Sequence, residues 1–289
     1  MEFGNIPKGL LCAASTYMVA GSVWAQESVL PKLESLGKPV DGRLNLQPAA
    51  TSVMADSTWL SNYILWIISI ITIFVTLLLI WVAIRYNSKS NPKPATFTHN
   101  SLLEVGWTLI PILILLSIMP YSLNVLFKTQ EIPEADITIK TTGNQWYWTY
   151  EYVDHDFGFD SFMLARDELE AAGYAQDEYL LATDTAVVIP TGKTIVVQVT
   201  GSDVIHSWAV PAFGVKQDGV PGRLAELWFN VDEGKEGVYF GQCSELCGKD
   251  HTYMPITVKA VSQADYEKWL DAAITEYAGT PRAVAVASN

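Results

Sequence analysis

Apolar residues are distributed unevenly along this chain. From Trp59 to Ile84 runs an apolar stretch with no formal charge, and a second runs from about Leu102 to Phe127. Each is long enough to cross the hydrocarbon core of a bilayer as a helix. Trp59, Trp81 and Tyr86 stand where the two interfaces of the first span would lie, the depth that amphipathic rings prefer. Between the runs, Arg85-Tyr86-Asn87-Ser88-Lys89-Ser90-Asn91-Pro92-Lys93-Pro94 makes a short basic loop with prolines. Positive loops stay on the cytoplasmic side, so both flanks belong on the other side. The pattern predicts a transmembrane helical hairpin over 58–127, with both chain termini outside the cytoplasm.

From Asp136 the period changes. Ile137-Thr138-Ile139-Lys140-Thr141 alternates, and so does Trp146-Tyr147-Trp148-Thr149-Tyr150-Glu151-Tyr152. By that alternation Trp146, Trp148, Tyr150 and Tyr152 would share one face of a strand. Ala186–Pro190 and Thr194–Val199 are β-branched runs broken by Pro190-Thr191-Gly192, and Leu227–Val231, Gly237–Phe240 and Ile256–Val261 continue the series. Many short strands with turn signals between them predict a β-sandwich or barrel over 128–278. Residues 165–180 read as a short helical insert. Residues 262–277 read as a terminal helix, with Ser262 as N-cap and Asp265 as the acid of a capping box. Residues 26–57 are polar with Pro and Gly and read as an irregular extracytoplasmic arm. Residues 279–289 read as a disordered tail.

The first 25 residues carry Lys8, an apolar stretch from Leu10 to Ala20, and small residues at the two cleavage-determining positions of Val23-Trp24-Ala25. That is the layout of a secretory signal peptide, and it agrees with the orientation of the hairpin. Cys12 falls inside its apolar stretch, which leaves Cys243 and Cys247 for the mature protein. A lone pair four residues apart makes no disulfide framework. It is a metal or redox candidate.

Charge narrows the partners. The 289 residues carry a net charge of −13, and from Lys128 onward 25 Asp and Glu face 11 Lys and Arg, a balance of −14. The excess acidity therefore lies in the C-terminal half. No basic footprint exists for a nucleic acid. An acidic surface would attract a basic partner, chiefly by speeding encounter, although it also keeps a domain soluble with no partner at all. His99 and His155 read as surface residues.

The chemistry is concentrated between two predicted strands, where Cys243, Cys247, His251 and Met254 fall within twelve residues. Thiolate, imidazole and thioether are soft or borderline ligands that favour copper, with zinc as the main rival. His206, just past a predicted strand, could add a second imidazole from the same end of a sandwich. A single cysteine with His and Met would indicate one copper; a second cysteine allows two thiolates to bridge two copper ions. A zinc site of two cysteines and two histidines would use the same residues and leave Met254 unexplained. A redox dithiol would need only the cysteines. The residues alone leave all three open.

Gly241-Gln242-Cys243-Ser244-Glu245-Leu246-Cys247-Gly248, His251 and Met254-Pro255-Ile256 resemble the copper A loop of the cytochrome c oxidase subunit II family. His206-Ser207-Trp208-Ala209-Val210-Pro211 resembles its first histidine motif, and Gln145–Tyr152 its aromatic segment. The order of hairpin, aromatic strand, histidine motif and cysteine loop also fits, over about residues 55–270. The resemblance implies a cupredoxin-like Greek-key sandwich after the hairpin. It implies a binuclear copper centre held by His206, Cys243, Cys247, His251, Met254 and the backbone carbonyl of Glu245. The Glu245 side chain would serve a magnesium or manganese ion shared with subunit I, a suitable ion for a hard carboxylate. Trp146 would be the point of electron entry from cytochrome c, which would dock on Glu151, Asp160, Asp184 and Asp203. Glu104, at the cytoplasmic start of the second span, would lie at the mouth of a proton pathway (the K pathway) of subunit I. The implied partners are subunit I with its haems, other oxidase subunits, cytochrome c and the lipid of a bacterial inner membrane. In the implied reaction, oxygen is reduced to water and protons are pumped by the assembled complex.

Three rival readings fit less well. A copper chaperone with a cysteine pair would show a thioredoxin-like βαβ pattern. A quinol oxidase subunit would lack the copper ligands. A nitrous oxide reductase would need a long propeller ahead of the copper domain. The insert near 163–180 looks like the bacterial form related to mitochondrial enzymes.

Overall fold

The computed structural model describes residues 29–277; the expected signal segment and the expected C-terminal tail lie outside them. Helix α1 spans Ser52–Arg85 and helix α2 spans Ser101–Gln130. The chain divides into two compact units, one over Ala55–Glu131 and the other from the described residues on either side of it.

The hairpin unit is apolar on every side. Its two helices have mean hydropathies of 2.9 and 2.2 over their most apolar windows, and those windows bury nothing within the chain. Side chains such as Leu79, Ile80, Leu113 and Leu115 are exposed. Helices this long and this uniformly apolar require hydrocarbon around them, not water; this is a membrane protein. Asn100 caps α2 by accepting from the amides of Leu102 and Leu103. Pro111 and Pro120 lie inside α2, which a membrane helix tolerates better than a soluble one. Lys128 Nζ meets Asp56 Oδ2 at 2.6 Å, and the Tyr63 hydroxyl meets Ser117 Oγ at 3.2 Å, so polar groups tie α1 to α2 at two levels.

Helix α1 begins seven residues ahead of the expected Trp59. Thr51 explains the early start: its Oγ1 accepts from the amide of Met54, an N-cap bond, while its hydroxyl donates to the carbonyl of Phe213 at 2.7 Å. Val53 and Met54 are buried.

The second unit is a sandwich. Its strands are β1 (Ser35–Gly37), β2 (Ile137–Asn144), β3 (Tyr147–Tyr152), β4 (Phe157–Ser161), β5 (Val187–Pro190), β6 (Ile195–Gly201), β7 (His206–Val210), β8 (Val215–Gly219), β9 (Ala225–Phe229), β10 (Gly237–Gln242) and β11 (Pro255–Val261). One sheet has the order β4-β3-β2-β6-β9, the other β1-β10-β11-β5, and β7 pairs with β8 as a hairpin. The alternation seen in the sequence works as the pleat requires. Ile137, Ile139 and Thr141 of β2 point inward, as do Trp148, Tyr150 and Tyr152 of β3. They meet Ile256, Val258 and Ala260 of β11 and Ile189 of β5 in one core. Helix α3 (Gln263–Tyr277) closes one end of that core with Tyr266, Trp269 and Ala273, spaced three and four residues apart on one face. The Ser262 hydroxyl oxygen accepts from the Asp265 amide and its proton goes to Asp265 Oδ2 at 2.8 Å. The expected cap is therefore present, with the carboxylate on the hydroxyl.

Three expectations are corrected. Trp146 does not share the inward face of β3; it lies in the two-residue turn between β2 and β3, where the pleat has ended, and is half-buried. Residues 165–180 are not a helix but a series of turns with one short 3-10 turn over Gln176–Glu178. Their helical propensity is overridden because Leu164, Leu169 and Tyr174, five residues apart, bury together against Val238 and Phe240 of β10. A helix could not present that spacing on one face. The arm over 26–57 is not wholly irregular, since β1 runs parallel to β10 and extends its sheet. Lys38, just after β1, reaches Asp177 at 2.9 Å and the buried Glu178 at 3.3 Å, fixing the arm to the insert.

Candidate metal centre

Strand β10 ends at Gln242 and β11 begins at Pro255, so residues 243–254 form one loop at the end of a sheet. Strand β7 opens on His206 at the same end, and the Ser244 amide donates to the Ser207 carbonyl at 3.0 Å, which locks the loop to β7. His206, Cys243, Cys247 and Met254 are buried and His251 is half-buried. The thiol sulfurs of Cys243 and Cys247 are 3.8 Å apart and unbonded. His206 Nδ1 lies 3.9 Å from the Cys243 sulfur, and His251 Nδ1 lies 3.4 Å from that of Cys247. Met254 Sδ is 3.5 Å from Cys247 Sγ, and the Glu245 carbonyl is 3.3 Å from Cys243 Sγ. One compact cluster therefore gathers two thiols, two imidazoles, a thioether and a carbonyl.

Neighbouring residues fix these donors in place. Asp203 Oδ1 is 2.9 Å from His206 Nε2. This leaves Nδ1 as the ligating nitrogen and orients the ring, the usual task of a carboxylate behind a metal-binding histidine. Trp148 Nε1 donates to the Met254 carbonyl at 3.1 Å, and its ring meets His206 edge-on at 5.9 Å. Burial alone would push both thiols up. At Cys243 the His206 ring and the backbone near Glu245 and Ser207 more than offset burial, and the thiol is lowered to about 7. At Cys247 burial is reinforced by the charge on Cys243, and the thiol is raised. The pair thus yields its first proton near neutrality, the form in which a soft metal is bound.

The donor set fits copper. Structural zinc sites are satisfied by four sulfur and nitrogen ligands, whereas a thioether within the same cluster is a ligand that copper uses. Gly143 makes the space: a Cβ there would lie 2.6 Å from His206 Cγ. Gly143→Ala is therefore expected to displace the imidazole and weaken copper binding by ~10–100-fold, with the sandwich still folded. A competition titration of the full chain against a chelator measures this.

The other residues singled out by sequence fall in different places. Trp146 packs on the ligand loop: a Cβ on Gly248 would lie 2.9 Å from its ring, and Lys249 Nζ stands 5.5 Å from the ring centre. Glu245 is exposed at the loop tip. Asp160 is exposed and accepts from the Thr149 hydroxyl. Glu151 is paired with Lys140 across β2 and β3 at 2.7 Å. Asp184 accepts from the amides of Phe162 and Thr185, and burial raises its carboxyl despite those bonds. Asp203 is held by His206 and two backbone amides. Glu104 sits in the first turn of α2. Two contributions to the metal site escaped sequence reasoning, Asp203 being expected there only as a docking acid. Asp203 stands three residues before a candidate ligand, a spacing that could have flagged it as the histidine's partner. Gln145, whose side chain donates to the Cys247 carbonyl at 2.7 Å, gave no comparable signal.

Comparison with known proteins places the chain in a family. Residues 137–261 match the family described as cytochrome C oxidase subunit II, periplasmic domain, and residues 39–125 match cytochrome C oxidase subunit II, transmembrane domain. Cytochrome c oxidase subunit 2 of Cereibacter sphaeroides is 52% identical over 287 residues, covering 94% of this chain and 93% of that one. The crystal structure of the periplasmic domain of subunit II of cytochrome oxidase of Bradyrhizobium japonicum shares 49% identity, covers 51% of this chain and 100% of its own, and gives a TM-score of 0.46. A mixed disulfide intermediate between a thioredoxin-like protein and subunit II of cytochrome c oxidase shares 48% identity, with 52% and 98% coverage and a TM-score of 0.44.

Proposed function

The chain belongs to the cytochrome c oxidase subunit II family and is thus part of an oxidoreductase complex; from that premise we propose that it is the electron-entry subunit, taking electrons from reduced cytochrome c for delivery to the haems of subunit I. The observation that carries this reading is the pair of thiols 3.8 Å apart with an imidazole Nδ1 beside each. His206, Cys243, Cys247, His251, Met254 and the Glu245 carbonyl would hold two copper ions. Such a centre would supply one-electron storage with little reorganisation, the electron being shared between the two metal ions and their thiolates. The chain also supplies the surroundings of these ligands. Burial of the sulfurs excludes water, Asp203 orients His206, and Trp148 holds the backbone of Met254.

The Glu245 side chain, exposed beyond the ligand shell, would meet a magnesium or manganese ion at the border with subunit I. Trp146, lying over the ligand loop, would receive the electron. The excess of acidic residues after Lys128 supports docking of a basic cytochrome c. Of the four docking acids, Asp160 is the most open to a partner, while Glu151, Asp184 and Asp203 have charges already engaged within the chain. Glu104 would stand at the cytoplasmic mouth of a proton pathway in subunit I. The hairpin would cross the bacterial inner membrane with the basic loop in the cytoplasm and the sandwich in the periplasm. Oxygen reduction and proton pumping would belong to the assembled oxidase. Exchange with a protein disulfide in an oxidising compartment would join Cys243 and Cys247 as a disulfide, the oxidant's own disulfide being reduced to two thiols. A thioredoxin-like dithiol would return them to two thiols and itself become the disulfide, leaving the ligands ready for metal.

Stopped-flow mixing of reduced cytochrome c with the assembled oxidase tests the reading. Copper reduction is expected to be fast at low salt and to slow ~10-fold or more as salt screens the acidic surface. Trp146→Phe should slow the electron step while leaving copper content unchanged. A rate indifferent to both salt and Trp146 would contradict electron entry through this face.

A further inference from the structure

The turn between β2 and β3 offers no metal ligand, yet it touches both halves of the ligand set. The Gln145 amide donates to Asp203 Oδ2 at 2.8 Å, and Asp203 Oδ1 is the atom that meets His206 Nε2. The Gln145 side chain runs the other way, and its Nε2 donates to the Cys247 carbonyl at 2.7 Å. One residue thereby joins the segment that carries the first imidazole to the loop that carries the thiols. The seat for this contact is specific. Gly248 follows Cys247 with φ +129°, a conformation open to glycine, and a Cβ there would lie 3.0 Å from Gln145 Nε2 and 2.9 Å from the Trp146 ring. The loop can close against the turn only because that side chain is missing.

We infer that Gln145 is a positioning residue for the metal centre: its amide fixes the Cys247 carbonyl, and with it the Cys247 thiol, relative to His206. This rests on the reading of Cys247 and His206 as copper ligands. A short amide-to-carbonyl hydrogen bond is well formed at this distance. Without it the peptide after Cys247 is free to rotate, and the sulfur on the same residue moves with it. A residue that merely completed a turn would affect the unfolding temperature but not the metal spectrum.

The test uses the full chain in detergent, loaded with copper(II). Gln145→Met keeps the length and removes the donor. Gln145→Glu places carboxylate oxygens against the Cys247 carbonyl. Gln198→Met, which removes an exposed side-chain bond to Glu226 between β6 and β9, is the control. Gln145 is exposed in its turn and lies outside the hydrophobic core, so the variants are expected to fold, which their thermal unfolding checks. Gln145→Met is expected to release copper to an excess chelator about tenfold faster, the worth of one such bond, and to shift the thiolate-to-copper absorption bands. Gln145→Glu should release it faster still, and Gln198→Met should match the wild type. Wild-type release and bands in both Gln145 variants would overturn the inference, as would faster release with unshifted bands. A wild-type chain that takes up no copper would instead overturn the ligand reading and this inference with it.

Discussion

Replacing Cys243 with serine is expected to abolish the proposed two-copper centre and to cut oxidation of cytochrome c by the assembled oxidase ~100-fold or more. Loss of a residue behind a ligand already costs ~10–100-fold in metal affinity or activity, and here a ligand itself is removed. Cys243 stands between the Cys247 sulfur, the Glu245 carbonyl and His206 Nδ1. Its thiol is also the one that ionises near neutrality, because His206 and nearby backbone offset its burial. A serine hydroxyl stays protonated there and offers a hard oxygen in place of a soft sulfur. What remains is one thiol with His206, His251 and Met254, a set suited to a single copper. The variant should therefore hold at most one copper, which metal analysis of the purified full chain would read directly. Retention of two coppers would show that a single thiolate suffices.

Trp148→Ala should have the largest effect on the fold. Trp148 is fully buried between the sheets, and truncating such a side chain costs ~3–5 kcal/mol through lost burial and the cavity left behind. For a unit of this size that corresponds to roughly 6–20 °C in unfolding temperature. The indole also donates to the Met254 carbonyl and braces the His206 ring, so metal retention should fall together with stability. Trp148→Phe keeps most of the volume and loses the N–H, and should lie between the wild type and the alanine variant. Thermal unfolding of the apo chain, followed alongside copper content, separates the two contributions.

The parts of the molecule governed by a local rule could be read from the sequence. A bilayer demands a continuous apolar run, and the two runs became α1 and α2. A half-buried sheet demands alternation, and β2 and β3 showed it, while β6 stood out as a β-branched run. Metal ligation demands particular atoms, and the spacing of Cys243, Cys247, His251 and Met254 announced a loop whose donors the fold does gather, together with His206 from a separate strand. The remainder depended on distant neighbours. The segment around Glu168-Leu169-Glu170-Ala171-Ala172 has the composition of a helix but is bent into turns by burial of Leu169 and Tyr174 against β10. Strand β1 has three residues, too few for a period, and exists because the edge of β10 is open to it. Alternation carried Trp146 into the strand because the pattern holds no mark for where the turn begins. Asp203 reads only as a docking acid until it is seen bonded to His206, and Gln145 is a plain polar residue until its amide is found on Cys247.

Electron paramagnetic resonance of the full chain loaded with copper tests the central claim most directly. The expected spectrum shows one unpaired electron shared over two copper nuclei, with two coppers bound per chain. The hyperfine pattern of a single copper nucleus, or tight zinc with no copper uptake, would contradict it.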